Sequence, residues 1–231
     1  MKSVEIKKIF YFVILILFLV TSFFTIKYLF FNKKSSNSSS GFNITNQHLY
    51  SRSFLYLYPK KETKVTVSFD DFKKVNRTYP LYKDKWIVTA KSNGDLEDKN
   101  RNIYFALYWE ESNVKKVDFK NGYYVTKDES KAFLEDKLKY IGLNDKERNE
   151  FIIYWLPVLE SNNKSVVYFE LTEERNKLNK INISPKPDSV LRVKMHIKKV
   201  DKKPSNLEKQ KLSYFYRKGF SVVEAGGVMH R

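Results

Sequence analysis

The chain's 231 residues suffice for one or two domains with a substantial core, and 16% aromatic residues exclude disorder over most of it. The absence of cysteine excludes disulfides, thiolate metal sites, a cysteine nucleophile and lipid attachment through cysteine. The formal charge of +17 comes overwhelmingly from lysine, interleaved with acids, so it reads as a solvated basic surface and no nucleic-acid partner is expected.

Residues 9–26 carry no charge, with Thr21, Ser22 and Thr25 as the small polar interruptions. At ~18 residues the run is near the lower limit for crossing a bilayer, and residues 28–31 extend it past Lys27, whose amine can snorkel. Lys2, Lys7 and Lys8 precede it as in an export signal, and the apolar run continues beyond the weak cleavage candidate Val20-Thr21-Ser22. Residues 1–31 are therefore expected to form a cytoplasmic start and an uncleaved transmembrane signal anchor, with the lipid bilayer as partner through residues 9–31. Lysines on both flanks nearly balance, so orientation rests on the long C-terminal domain, which is normally exported. Residues 32–50, rich in Ser and Asn, bury little apolar surface and make a flexible tether.

Residues 51–227 read as a globular α+β domain, and 228–231 as a disordered tail. Val65, Val67 and Phe69 alternate with Lys64, Thr66 and Ser68, and Trp86, Val88 and Ala90 with Ile87 and Thr89. Ile103, Phe105, Leu107 and Trp109 continue this period as one strand, after a turn at Ser92-Asn93-Gly94-Asp95. Further strands are expected at 166–171, 179–184, 190–197 and 219–224. In the clearest, Leu191, Val193, Met195 and Ile197 are expected to face the core, and Arg192, Lys194, His196 and Lys198 to face water.

Between the strand groups lies a helical pair. Phe133, Leu134, Leu138 and Ile141 share one face of the first helix, with Thr126 or Asp128 as cap, Glu129 placed for a capping box, and Gly142 as the left-handed stop. Asn144 and Glu147 are spaced for a capping box on the second, whose apolar stripe is Phe151, Ile152, Trp155 and Leu156. Pro157 is expected to end it. Strands on both sides of a helical hairpin predict a mainly antiparallel β domain with an inserted helical pair, not a doubly wound parallel sheet.

Little of the sequence suggests chemistry. His48, His196 and His230 lack metal-ligand spacing, and there is no phosphate-cradling loop or nucleophile elbow, so no metal or cofactor is expected. The pairs Asp70-Asp71 and Glu110-Glu111 are strand neighbours that point to opposite faces, which makes neither an acid–base dyad. Glu150 lies beside an apolar stripe and can be partly buried, as a structural or a catalytic carboxylate. Tyr104, Tyr108 and Tyr123 stand at strand spacing, either as a stacking or sugar-binding face or as cross-strand packing. No residue is singled out as catalytic, cofactor-binding or metal-binding.

The run GYYVTKDESKAFLEDKLKYIGLNDKERNEFIIYWLPVLESN resembles an uncharacterised bacterial family common among Firmicutes. So do Leu55-Tyr56-Leu57-Tyr58-Pro59, Thr78-Tyr79-Pro80, the strand Lys186-Pro187-Asp188-Ser189-Val190-Leu191-Arg192-Val193, and the close Gly219-Phe220-Ser221-Val222-Val223-Glu224. The likeness spans about residues 53 to 227. Ala225 stands where that family usually has Trp, and Lys194 where it has Phe. The loss of the Trp implies a C-terminal strand docked differently or less firmly. The resemblance implies an exported, envelope-attached protein with no assigned activity and carries over no catalytic residue.

The expected function is thus that of a membrane-anchored extracytoplasmic binding domain, with an envelope protein or anionic surface polymer as partner. The alternative is a hydrolase of cell-wall or surface polymer, which needs carboxylates such as Glu110 and Glu150 ~5–10 Å apart in a cleft.

Overall fold

The structure, a computed structural model, describes Thr21, residues 51–112 and residues 116–230. The expected anchor and tether lie outside the described residues apart from Thr21. Among the described residues no helix is long and apolar enough to cross a membrane.

Period-two alternation in the sequence becomes two mostly antiparallel sheets. The larger has the order β12 (Glu208–Lys209), β8 (Asn121–Thr126), β9 (Lys164–Leu171), β11 (Ser189–Lys199), β13 (Ser221–His230), β1 (Ser51–Tyr58), β7 (Leu107–Glu111) and β3 (Val75–Tyr79). The smaller runs β10 (Ile181–Ser184), β2 (Thr63–Phe69), β4 (Trp86–Ala90), β5 (Leu96–Glu97) and β6 (Ile103–Tyr104). Among the described residues only β11–β13 and β12–β8 pair in parallel.

The helical pair is α1 (Ser130–Ile141) and α2 (Asp145–Asn162). Gly142 closes α1 at φ +110°, a conformation that costs glycine little. Asn144 and Glu147 form the expected reciprocal box, each accepting from the other's backbone at 2.9 Å. The carboxylate of Glu129 reaches back to the N–H and hydroxyl of Thr126, but α1 has no side-chain cap. Pro157 does not end α2, which runs on to Asn162. The proline lies on the exposed side of the helix, one turn from exposed Ile153, so the carbonyl it leaves unbonded is on the wet face.

The helices pack Leu134, Leu138, Ile141, Phe151, Trp155 and Leu159 on one face of the large sheet, against Val167, Phe169, Val193, Met195, Val223 and Ala225. The other face is covered in two parts. Over β1, β7 and β3 lies the small sheet, with Leu55, Leu57, Leu107 and Trp109 against Val65, Val67, Trp86 and Val88. Over β9, β11 and β13 lies a short helix not expected from the sequence, α3 (Thr172–Leu178).

Two expectations are corrected here. Arg192, Lys194 and His196 do not face water: they are 2%, 0% and 0% exposed, under α3 and beside acids from other strands. Of that row, only Lys198 is exposed. The tail expected at 228–231 is strand as far as His230 in β13. That strand pairs along β1 on one side and β11 on the other, with Ala225 in the helix-side core.

Candidate functional site

The segment 103–109 is not one strand. Its alternation breaks at Phe105 and Ala106, where the chain leaves β6 of the small sheet and enters β7 of the large one. The break opens a cleft of 450 Å³ beside α2. Phe54 from β1, Tyr79 from β3, Tyr104 from β6, Phe105, Tyr108 from β7 and Tyr154 from α2 wall it, with Ile103 and Ala106 between. Phe54 lies 5.0 Å from Tyr108 and 6.0 Å from Phe105 between ring centroids. Tyr79 meets Tyr104 edge-on at 5.5 Å. Single exposed apolar residues are ordinary, but a concave cluster of them marks a binding surface. Here Tyr79, Ile103 and Phe105 are 65%, 53% and 44% exposed.

Two of the hydroxyls around the cleft are bonded to carboxylates. Tyr104 donates its hydroxyl to Asp98 at 3.0 Å, and Tyr108 donates to Glu110 at 2.6 Å. Burial, then the neighbouring carboxylate, raises both phenols above their ordinary pKa. Glu110 is in turn held by Arg52 at 3.3 Å and Arg77 at 3.1 Å. Three cations flank the rings: Arg52 over Tyr154 at 4.7 Å, Lys146 over Phe105 at 5.6 Å, and Arg77 beside Glu110.

The tyrosines noted in the sequence divide. Tyr104 and Tyr108 line the cleft, whereas Tyr123 packs on Phe133 and Phe169 under α1. The carboxylates do not gather in it. Glu110 is engaged by two arginines and a tyrosine, and Glu150 accepts from Tyr56 at 2.6 Å. Neither lines the cleft, and among the described residues no carboxylate does. Glu111 points to the opposite face from Glu110, as the strand period requires.

A second, more polar groove of 760 Å³ lies between the start of α3 and residues 208–215. Its acids include Glu173, Glu174 and Glu208. Glu174 is occupied, accepting from Tyr168 and from the Leu171 N–H at the start of α3. At its edge the side-chain amide of Gln210 pairs with both backbone groups of Phe169, at 2.9 and 2.7 Å, in place of a neighbouring strand.

Beneath α3 the row misread as solvent-facing forms a charge-balanced cluster. Glu111, Glu170 and Glu224 face Arg175, Arg192 and Lys194, all of them buried. Burial alone would favour the neutral acids, but Arg175, Arg192 and Lys194 hold Glu224 at about 2. Burial pulls Lys194 below its ordinary value, and Arg175 pulls the same way against the attraction of Glu111. Beyond the cluster His196 Nδ1 lies 2.8 Å from His230 Nε2, and the two rings stack at 5.0 Å. Sequence reasoning missed this set because its members come from four strands and a helix, paired by topology rather than spacing. Among the described residues no group of three or more His, Asp or Glu could hold a metal ion. Comparison with protein-family models, with curated proteins and with solved structures gave no match.

Proposed function

We propose that the chain is a non-enzymatic binding domain, tethered to a membrane by residues 9–31 and held outside the cytoplasm, whose ligand site is the aromatic cleft. The observation that carries the reading is the lining: among the described residues, six aromatic residues, no carboxylate, histidine or lysine, and the hydroxyls of Tyr104 and Tyr108 committed elsewhere. Such a surface offers apolar contact and ring faces, with tyrosine hydroxyls as its only ionisable groups among the described residues. The tether is supported by the uncharged run at 9–26 and the lysines before it. The partner is an envelope protein or an anionic surface polymer.

Two measurements test the reading. Protease shaving of intact cells producing the protein should remove the domain and leave the N-terminal run in the membrane fraction. Protection of the domain would overturn the orientation. Isolated wall polymer and solubilised membrane protein should then retain the wild-type chain and lose it on Tyr79→Ala or Tyr104→Ala. Equal retention of both variants would remove the cleft from the function.

A further inference from the structure

The polar groove between the start of α3 and residues 208–215 shares no lining residue with the aromatic cleft. Its 760 Å³ falls in the range of roughly 300–1,000 Å³ that holds small ligands. One wall is irregular chain, yet it is pinned at both ends. Gln210 bonds both backbone groups of Phe169, and the Phe215 N–H donates to the Ile141 carbonyl at 3.0 Å. Leu212 and Phe215 pack against the helix-side core, which leaves Lys211, Ser213 and Tyr214 exposed. A wall fixed in this way is preformed, so a ligand loses little in ordering it.

The lining carries both signs of charge. Glu173 on α3 and Glu208 on β12 have no side-chain partner among the described residues, and neither do Lys209 and Lys211. The third acid, Glu174, is taken up by Tyr168 and the Leu171 N–H. An anion would meet the free carboxylates and a cation the free ammonium groups, so neither sign prevails. A non-ionic ligand that both donates and accepts can use the two sets together, and hydroxyl groups do both. The amide of Asn121 and the hydroxyl of Ser213 add to the same supply.

Ring faces supply the apolar half of the site. Tyr214 is 51% exposed, and its ring is held edge-on 4.6 Å from that of Tyr216, itself 72% exposed. Two rings steadying each other in solvent present a flat apolar surface beside the free polar groups. A sugar matches both, since its C–H face stacks on an aromatic ring while its hydroxyls turn outward to hydrogen-bonding partners. An extended peptide would need the edge of β9, where Gln210 already occupies Phe169 and Glu174 occupies the Leu171 N–H.

We propose that this groove binds an uncharged saccharide, with one sugar ring stacked on Tyr214 and its hydroxyls bonded to Glu173, Glu208 and Asn121. This is a second site, independent of the aromatic cleft.

The test is an array of neutral and acidic oligosaccharides probed with the purified full-length chain, with an array of short peptides alongside. Neutral saccharides should be retained in preference to acidic ones, and equally at roughly 50 and 500 mM salt, because the bound ligand carries no charge to screen. Tyr214→Ala and Glu208→Gln should each weaken binding of the best saccharide about tenfold. Both side chains are exposed, so thermal melting should show each variant folded. Ile153→Ala, on the exposed side of α2, should bind as the wild type does. Preference for acidic saccharides with steep salt dependence would assign the binding to the basic surface and overturn the proposal. So would retention of peptides with no saccharide, or an empty pair of arrays. Saccharide binding that survives Tyr214→Ala but is lost on Tyr79→Ala would overturn it too, by moving the sugar to the cleft.

Discussion

The indole of Trp155 rests on Gly227, so closely that a β-carbon on the glycine would lie 2.7 Å from Cε2 of the ring. The contact joins α2 to the central strand β13 and is the point where the helical layer is keyed to the sheet. Trp155→Ala should cost ~3–5 kcal/mol in urea unfolding, as truncation of a buried aromatic does. Gly227→Ala should cost ~1–3 kcal/mol by overpacking. Combined, they should cost less than their sum, because the smaller residue at 155 leaves room for the added methyl. Strict additivity would mean the two residues do not touch.

The buried cluster predicts asymmetry of another kind. Glu224→Gln leaves Arg175 and Arg192 without their shared carboxylate, and should destabilise by ~3–5 kcal/mol. Replacing Glu111 by Gln and Lys194 by Met together removes a 2.7 Å pair and should cost less than the two single changes added. Chemical denaturation of the four variants checks it. A harmless Glu224→Gln would mean the cluster contributes nothing to folding.

The histidine pair sets the response to acid. Burial first, and His196 second, push His230 down to about 4, and burial likewise lowers His196 despite the pull of Glu170. Lys194, Arg175 and Lys198 add to the repulsion. An unfolded histidine titrates near ~6.5, so on acidification the unfolded chain takes up protons first. Stability is therefore complete above about pH 6.5 and falls between there and about pH 4. Glu224, held at about 2, gives a second loss that begins near ~4.3, where an unfolded Glu titrates. His230→Asn should flatten the melting-temperature profile in the upper window alone. Parallel profiles for wild type and variant would show that the pair does not titrate as described.

Gln210 offers a local test. Its amide makes two hydrogen bonds to the Phe169 backbone, and Gln210→Ala leaves both groups unpartnered at ~1–3 kcal/mol. Hydrogen exchange at the Phe169 amide should quicken, while exchange in the β11–β13 ladder stays as it was. Uniform quickening would mean the strap acts on the whole domain.

What the sequence revealed and what it hid divide along the range of the interactions. Gly142, Asn144 and Glu147 act within one helix turn, and their roles could be read directly from spacing. The apolar period of β2, β4 and β11 was equally plain. Pro157 misled because its effect depends on which side of α2 is wet. Residues 103–109 misled because an unbroken alternation does not say when a chain changes sheets, and that change creates the cleft. His196 misled most. Polar residues at alternate positions normally mark a solvated face, but here the compensating acids come from Glu111, Glu170 and Glu224, far away along the chain.

β13 has one further consequence, and it concerns time. Among the described residues it is the last strand in chain order, yet it lies between β11 and β1, the first of them. The hydroxyl of Ser53 reaches Glu224 across 171 residues of chain. Until that strand arrives, the sheet is two half-sheets with an open slot, each with an unsatisfied edge. Folding is thus not a progressive act that follows synthesis outward from the N-terminus. The large sheet completes only when β13 enters between β11 and β1, and a nascent chain stalled before residue 221 would expose both edges to aggregation.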